Sequence, residues 1–257
     1  MNNNTITARA LKAEIAFWQA MAVEKLACDG ITAIATNLKN SAGLNLVIDT
    51  QLPNIDLDIT IKKVIDFYKS RELEWQWIIG PLTQPSNLAD YLQKHGLIFS
   101  ESFPGMYFNL SSTLPTHLIE NFSIKEADDL SIWIKPVAEA FQATDNGMAY
   151  QTLNSNIPHG AGAAFRHFVG YYLDEPVSAV TLFIHDDAVM IHNLATKKDF
   201  LKRGFGSAMT IHAMKIAKNL GKQHCFLDAS NDGINLYQKI GFNTYCIYNV
   251  YSTGKRT

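Results

Sequence analysis

The chain has 257 residues, 47% hydrophobic, 11% aromatic and 18% charged, with 22 Lys and Arg against 24 Asp and Glu for a net charge of −2. Such a chain buries enough apolar surface to offset its ordering entropy, which excludes disorder and low complexity, and its balanced charge excludes nucleic acid as a charge-driven partner. The longest uncharged apolar stretch, Val177 to Ile184, is far too short to cross a bilayer, and the first residues reach Lys12 and Glu14 before any secretory apolar segment forms, so a cytoplasmic chain without membrane contact is expected.

In the first half, Leu44 to Asp49 reads as a strand, Ile59 to Lys69 as a helix and Trp75 to Ile79 as an apolar strand. The polar stretch Ser111 to His117, with Pro115, then separates two segments with apolar patterns of their own, and two domains are expected, residues 1–112 and 119–257. After it come a strand (Asn121 to Lys125) and a helix (Asp128 to Phe141) capped by Asp128 and Asp129, with Trp133, Val137 and Phe141 on its buried face. A small, polar loop from Thr144 to Gly162 leads into three strand patterns, Phe165 to Leu173, Pro176 to His185 and Val189 to Thr196, joined by short Asp-rich turns. A glycine turn, a helix to Leu220, a strand from Gln223 to Asp228, a helix from Ile234 to Ile240 and a strand from Tyr245 to Tyr251 complete the chain. The fold class is α/β (α+β): a mixed, mostly antiparallel sheet flanked by helices.

The first half echoes the second. A shift of 145 residues lays Leu92-Gln93-Lys94-His95-Gly96-Leu97 on Tyr237-Gln238-Lys239-Ile240-Gly241-Phe242, and strand on strand and helix on helix before it. In this register Ile59 and Ile61 face Gly204 and Gly206, and Leu92 faces Tyr237, so the first copy lacks the residues that distinguish the second.

Those residues begin with Leu201-Lys202-Arg203-Gly204-Phe205-Gly206-Ser207, between a strand and a helix. Glycines there let a ligand approach the backbone, and the first amides of a helix have no intrahelical acceptor, so an anion fits. Lys197, Lys198, Lys202 and Arg203 add positive charge, although a solvated helix entry has the same composition. A P-loop is excluded because Ser207-Ala208 follow Gly206 where Lys and Ser or Thr are needed; a dinucleotide fingerprint is excluded by Met209 at its third glycine. Cys28, Cys225 and Cys246 form no CxxC pair and read as free thiols.

Taken together, Asn193-Leu194-Ala195-Thr196, Leu201 to Gly206 and Ser230 to Phe242 resemble the GNAT acetyltransferase superfamily over roughly Asn121 to Tyr251. The glycine turn matches the family pattern at both small positions but has Leu201 where Gln or Arg leads. The Leu-Tyr-x-Lys-x-Gly-Phe pattern is met in full by Leu236, Tyr237, Lys239, Gly241 and Phe242, and Ser230 stands where many members have Asn. The stretch Trp77-Ile78-Ile79-Gly80-Pro81 with Pro104-Gly105-Met106 is similar to the degenerate leading domain of some two-domain GNAT proteins.

The resemblance implies acetyl-CoA as cofactor, its diphosphate on the amides of Arg203, Gly204, Phe205, Gly206 and Ser207, its pantetheine arm along Leu194 and Thr196 like an added strand, and Ser230 beside it. It implies an amide donor to the oxyanion at Leu194 and a general acid at Tyr237. His192 is the candidate base and Asn193 a candidate acceptor contact, though strand alternation points only one of them toward the acceptor. Asp145, Asn146 and Tyr150 are candidate contacts for an amine-bearing small molecule or peptide. The expected reaction is direct N-acetyl transfer to a primary amine; the alternative is a CoA-binding or protein-interaction module without catalysis.

Overall fold

The computed structural model describes residues 3–52, 57–141 and 147–254. They divide into two compact units, Met1–Pro104 with Cys246–Thr257, and Gly105–Tyr245.

The first unit contains α1 (Asn3–Met21), β1 (Glu24–Lys25), β2 (Thr32–Ala35), β3 (Leu46–Ile48), α2 (Leu57–Lys69), β4 (Gln76–Ile79) and α3 (Leu88–Lys94). Leu57, Thr60, Ile61, Val64, Phe67 and Tyr68 recur at helical spacing and form the buried stripe of α2. Each such large apolar side chain contributes about 1.5–3 kcal/mol when buried. The Tyr68 ring stacks on Trp75 at 4.6 Å and its hydroxyl donates to the carbonyls of Ile34 and Leu46 at 2.8 and 2.9 Å, tying the helix to β2 and β3.

The chain continues with β5 (Ile98–Asn109), which enters the second unit at Gly105, then β6 (Phe122–Glu126), α4 (Leu130–Ala140), α5 (Gly147–Ser155), β7 (Phe165–Tyr172), β8 (Glu175–His185), β9 (Ala188–Thr196), α6 (Phe205–Asn219), β10 (His224–Asp228), α7 (Ile234–Ile240) and β11 (Asn243–Ser252), which leaves the second unit after Tyr245. The strands of the second unit run β5-β10-β9-β8-β7-β6, antiparallel except for β9 beside β10. The Asp129 carboxylate accepts from the Ser131 amide at 2.8 Å and caps α4, whose Trp133 and Val137 are buried. The helix stops at Ala140, so Phe141, expected on that buried face, is 58% exposed. The segment read as a loop contains α5, which buries Gly147, Tyr150 and Asn154. A Cβ on Gly147 would come within 3.1 Å of the Ala138 Cβ, so glycine lets α5 lie close against α4.

The two units repeat one motif, a strand, a crossover helix, a parallel strand and a second helix: β3-α2-β4-α3 and β9-α6-β10-α7. The strand after each motif is exchanged. β5, which follows α3, pairs through Gly105–Asn109 with β10, and β11, which follows α7, pairs through Asn249–Ser252 with β4. The compact units therefore divide at Pro104/Gly105 and return to the first unit at Cys246, whereas the Ser111–His117 stretch lies inside the second unit.

Candidate active site

β9 and β10 pair in parallel at Ala188 with His224, Val189 with Cys225 and Met190 with Phe226, and the ladder ends there although both strands continue. The cause lies on β9. Its register against β8 slips by one residue between Ala179 and Thr181, and Asn193 has a left-handed backbone (φ 51°), a bulge that bends the strand. The bulge also breaks the alternation. Thr181 is the cross-strand partner of His192, and its hydroxyl accepts from Asn193 Nδ2 at 3.2 Å, so His192 and Asn193 both serve the face of Thr181. The Asn193 Oδ1 accepts from the buried Tyr150 hydroxyl at 3.0 Å, and Thr181 Oγ1 lies 2.9 Å from His167 Nδ1.

After β9, α6 opens on Gly204, whose φ of 88° is left-handed and suits glycine. Among the described residues no side chain accepts a hydrogen bond from the amides of Arg203 to Ser207, so the positive end of the helix is available to an anion. The missing side chain of Gly206 faces β9: a Cβ there would stand 4.0 Å from Leu194 Cδ2 and from Thr196 Oγ1, and 2.9 Å from Leu236 Cδ1. The cradle thus opens directly onto the strand edge that β10 has left. On its other side a Cβ at Gly204 would overlap the His117 imidazole. The basic rim is partly committed: Lys197 Nζ pairs with Glu175 at 3.0 Å, and the Arg203 guanidinium lies 4.6 Å from the Tyr172 ring centre and 5.3 Å from those of Phe200 and Phe205. Leu201 is exposed.

After β10, Gly233 brings two more expected residues together. A Cβ there would lie 2.9 Å from Tyr237 Cε2 and 3.3 Å from Ser230 Oγ. The Tyr237 ring is buried against Phe242, and its hydroxyl makes no hydrogen bond among the described residues. Burial raises its pKa, with Cys225 adding to the rise, so the group remains a phenol with a proton to give.

Leu194, Thr196 and Leu236 therefore stand around Gly206, Ser230 and Tyr237 meet at Gly233 at the start of the helix that carries Leu236, and Tyr150 and Asn193 are linked between α5 and β9. Asp145 and Asn146 lie outside the described residues. Burial pulls the His192 pKa down to about 3, so its imidazole is neutral near neutral pH. Sequence reasoning passed over Asp228, the last residue of β10. It is partly exposed, but its Oδ1 is enclosed without a hydrogen-bond partner among the described residues, and burial pushes its pKa up to about 7. The signal was present: one carboxylate ends the otherwise apolar run Cys225-Phe226-Leu227.

The first unit closes the corresponding gap. Gln84 donates its amide to the Thr50 carbonyl at 2.8 Å and accepts from the Leu52 amide at 3.0 Å, so the chain itself lies along the edge that β3 leaves. The helices α2 and α6 begin 148 residues apart, so Asp58, not an isoleucine, occupies the position of Gly206. The Asp58 carboxylate takes His95 Nε2 at 2.6 Å and Lys94 Nζ at 3.2 Å, and places negative charge at the helix start.

Residues 132–242 match the model of the acetyltransferase (GNAT) family. Among solved structures, a GCN5-related N-acetyltransferase from Kribbella flavida is similar over 95% of this chain and 94% of its own, at 13% identity and a TM-score of 0.72. A GCN5-related N-acetyltransferase from Sphaerobacter thermophilus is similar over 87% and 76%, at 13% identity and 0.61, and a tandem GNAT protein from the clavulanic acid biosynthesis pathway over 82% and 76%, at 10% identity and 0.58. No curated protein matches the chain. The fold is the one these structures share, and the residues that match the family model lie in the second unit.

Proposed function

We propose that the GNAT-family domain at residues 132–242 is an N-acetyltransferase that takes acetyl from acetyl-CoA and passes it to a primary amine by direct attack. The observation that carries this reading is the end of the β9–β10 ladder beside the uncapped start of α6, with Leu194 and Thr196 next to Gly206 and with Ser230 and Tyr237 meeting at Gly233 after β10. The fit to CoA is supported by Gly206, because a side chain there would fill the space between the helix start and the strand edge.

When bound, acetyl-CoA supplies an activated thioester. The amides of Arg203 to Ser207 and the helix dipole hold the diphosphate. The unpaired edge at Leu194 and Thr196 receives the pantetheine arm as a strand is added to a sheet, and Ser230 flanks it. The Leu194 amide donates to the carbonyl oxygen as negative charge grows on it. Tyr237, kept protonated by burial, gives its proton to the departing sulfur. His192 and Asn193 line the acceptor's side, His192 as a neutral imidazole; Asp145 and Asn146 are proposed to meet the amine. No helix among the described residues is long and apolar enough to cross a membrane, and a cytoplasmic enzyme is proposed.

The test is release of CoA thiol from acetyl-CoA by the purified chain, offered polyamines, aminoglycosides, amino acids and peptides in turn. Release with at least one amine is expected. Tyr237→Phe is expected to lower turnover by about 10²-fold or more while CoA still protects the protein against heat. Heat protection by CoA without thiol release from any amine would favour a binding module instead.

A further inference from the structure

The residues placed around the gap include a proton donor but no group able to accept the proton of an ammonium near neutral pH. Asp228 is positioned for that task. Its backbone pairs with Gly105 of β5 on one side, while on the other the ladder with β9 has already ended at Phe226 and Met190. Alternation puts Asp228 on the face of His224 and Phe226, opposite Cys225 and Leu227, which enter the core beside Tyr237. Two residues beyond the Met190–Phe226 pair, Asp228 reaches the level of His192, at the mouth of the gap. The titratable groups of that face include His192 on β9, His167 on β7, His185 on β8, Tyr150 on α5, Tyr107 and His224 on β5 and β10, Asp187 beside His224, and Tyr245 of β11, whose ring packs on Phe226. Burial pulls both His192 and His167 down to about 3 and raises Tyr150, so none of these three exchanges a proton near pH 7.

We propose that Asp228 is the proton acceptor of the transfer, taking the proton of the acceptor's ammonium at the open end of the β9–β10 gap. This rests on the transferase reading above. The carboxylate becomes a carboxylic acid and the amine's lone pair is freed. Nitrogen forms its bond to the acetyl carbon as the bond from that carbon to sulfur breaks, and sulfur takes the Tyr237 proton. The surplus proton on the amide nitrogen restores the Tyr237 phenol, and Asp228 releases its own proton to solvent, leaving amide, free thiol and one proton. Enclosure of Oδ1 without a hydrogen bond fits the role, since an unpartnered carboxylate oxygen is the more basic one. Burial pushes the group up to about 7, close to the working pH of a general base.

The experiment compares wild type with Asp228→Asn in the full chain. It uses acetyl-CoA and the amine that wild type turns over fastest in the panel, between about pH 5 and pH 9. Wild type is expected to lose rate below about pH 7, and D228N to be slower by about 10²-fold with that acidic limb gone, while CoA protects both against heat equally. A second readout needs no turnover. A carboxyl raised in the folded state makes wild type lose stability as pH rises from the unfolded value toward about 7, so the thermal midpoint of D228N should gain on wild type over that span and then stay level. Wild-type rate and an intact acidic limb in D228N would overturn the role of Asp228 while leaving the transferase reading standing. No thiol release by wild type with any amine would overturn the transferase reading, and the proposed role with it.

Discussion

The Tyr150 hydroxyl donates to Asn193 Oδ1 at 3.0 Å, joining α5 to the bulge of β9. Asn193 also donates from Nδ2 to Thr181, so one side chain in a left-handed conformation is held from two sides, and the bend that ends the β9–β10 ladder is fixed by it. Removing the phenol leaves a partly buried amide oxygen without its donor. Tyr150→Phe should cost about 1–3 kcal/mol, a fall of roughly 2–4 °C in the melting temperature for each kcal/mol in a chain of this size. Asn193→Gly, which keeps the backbone conformation and loses both hydrogen bonds, should show a similar loss, and Asn193→Ala a larger one because alanine must also bear the positive φ. Equal melting of Asn193→Ala and wild type would show that the bulge is held by other contacts.

Much of this arrangement was legible in the sequence because it is local. The strands of the meander alternate and end in Asp-rich turns, α7 follows its pattern from Ile234 to Ile240, and the glycine turn announces itself by residue type. What was missed depends on tertiary packing. The helix α5, Gly-Met-Ala-Tyr-Gln-Thr-Leu-Asn-Ser, mixes good helix formers with Gly, Thr, Asn and Ser, which are weak ones, and it is held where Gly147 fits against Ala138 and Tyr150 finds Asn193. Asn193 is a residue type that tolerates a left-handed backbone, but only its pairing with β8 shows that it takes one. Asp228 reads along the chain as the polar end of a strand, and its enclosure appears only in three dimensions. The exchange of β5 and β11 escapes any division made along the chain, since it returns the last strand to the first unit.

Gly204 and Gly206 should answer differently to the same substitution. At Gly204 an added Cβ meets both a positive φ and the His117 ring, so Gly204→Ala should destabilise the protein by about 1–3 kcal/mol. Gly206 lies in the first turn of α6 with no such constraint on φ, and alanine is a better helix former, so Gly206→Ala should melt within about 1 kcal/mol of wild type. Its cost should fall on the ligand. Melting curves with and without CoA separate the two effects, and undiminished protection of Gly206→Ala would place the cofactor elsewhere.

One CoA should bind per chain. In the first unit the strand edge is taken by Gln84, and the helix start carries Asp58, whose carboxylate is held below its usual range by His95 and Lys94 and stays negative at neutral pH. A diphosphate approaching that helix meets like charge. Titration calorimetry with CoA should give one site per chain, and Asp58→Asn should leave that number unchanged because the Gln84 segment still covers the edge. A second equivalent bound by wild type would contradict this account.

Acid should weaken the fold through two histidines. Burial depresses His167 and His192 to about 3, with the charge of His159 also acting on His167, whereas the unfolded chain protonates them near 6.5. The unfolded state therefore binds more protons as pH falls below about 6.5, and stability drops through that window toward pH 3. His192→Gln removes one of these groups. Its denaturation midpoint should improve relative to wild type on going from about pH 7 to pH 5, because only wild type then bears the cost of keeping that ring neutral. Midpoints that fall in parallel would mean that water reaches His192 freely enough for it to protonate in place.

The last strand should matter to the first unit rather than to the domain that precedes it in the chain. Asn249 to Ser252 pair with Gln76 to Ile79, and Tyr251 packs into the core that holds Tyr68, Trp75 and Trp77. A chain ending at Tyr245 leaves β4 with an open edge and that core without Tyr251, a loss of about 3–5 kcal/mol from the aromatic ring alone, before any hydrogen bonds of the ladder. Exchange of the backbone amides of Trp77 and Ile79 should accelerate strongly in the truncated chain, with the fluorescence of the two tryptophans shifting to longer wavelength as water enters. The amides of β8, central in the second unit, should remain protected, since none of their partners is removed. Loss of protection spread evenly over β4 and β8 would instead make the two units a single cooperative body.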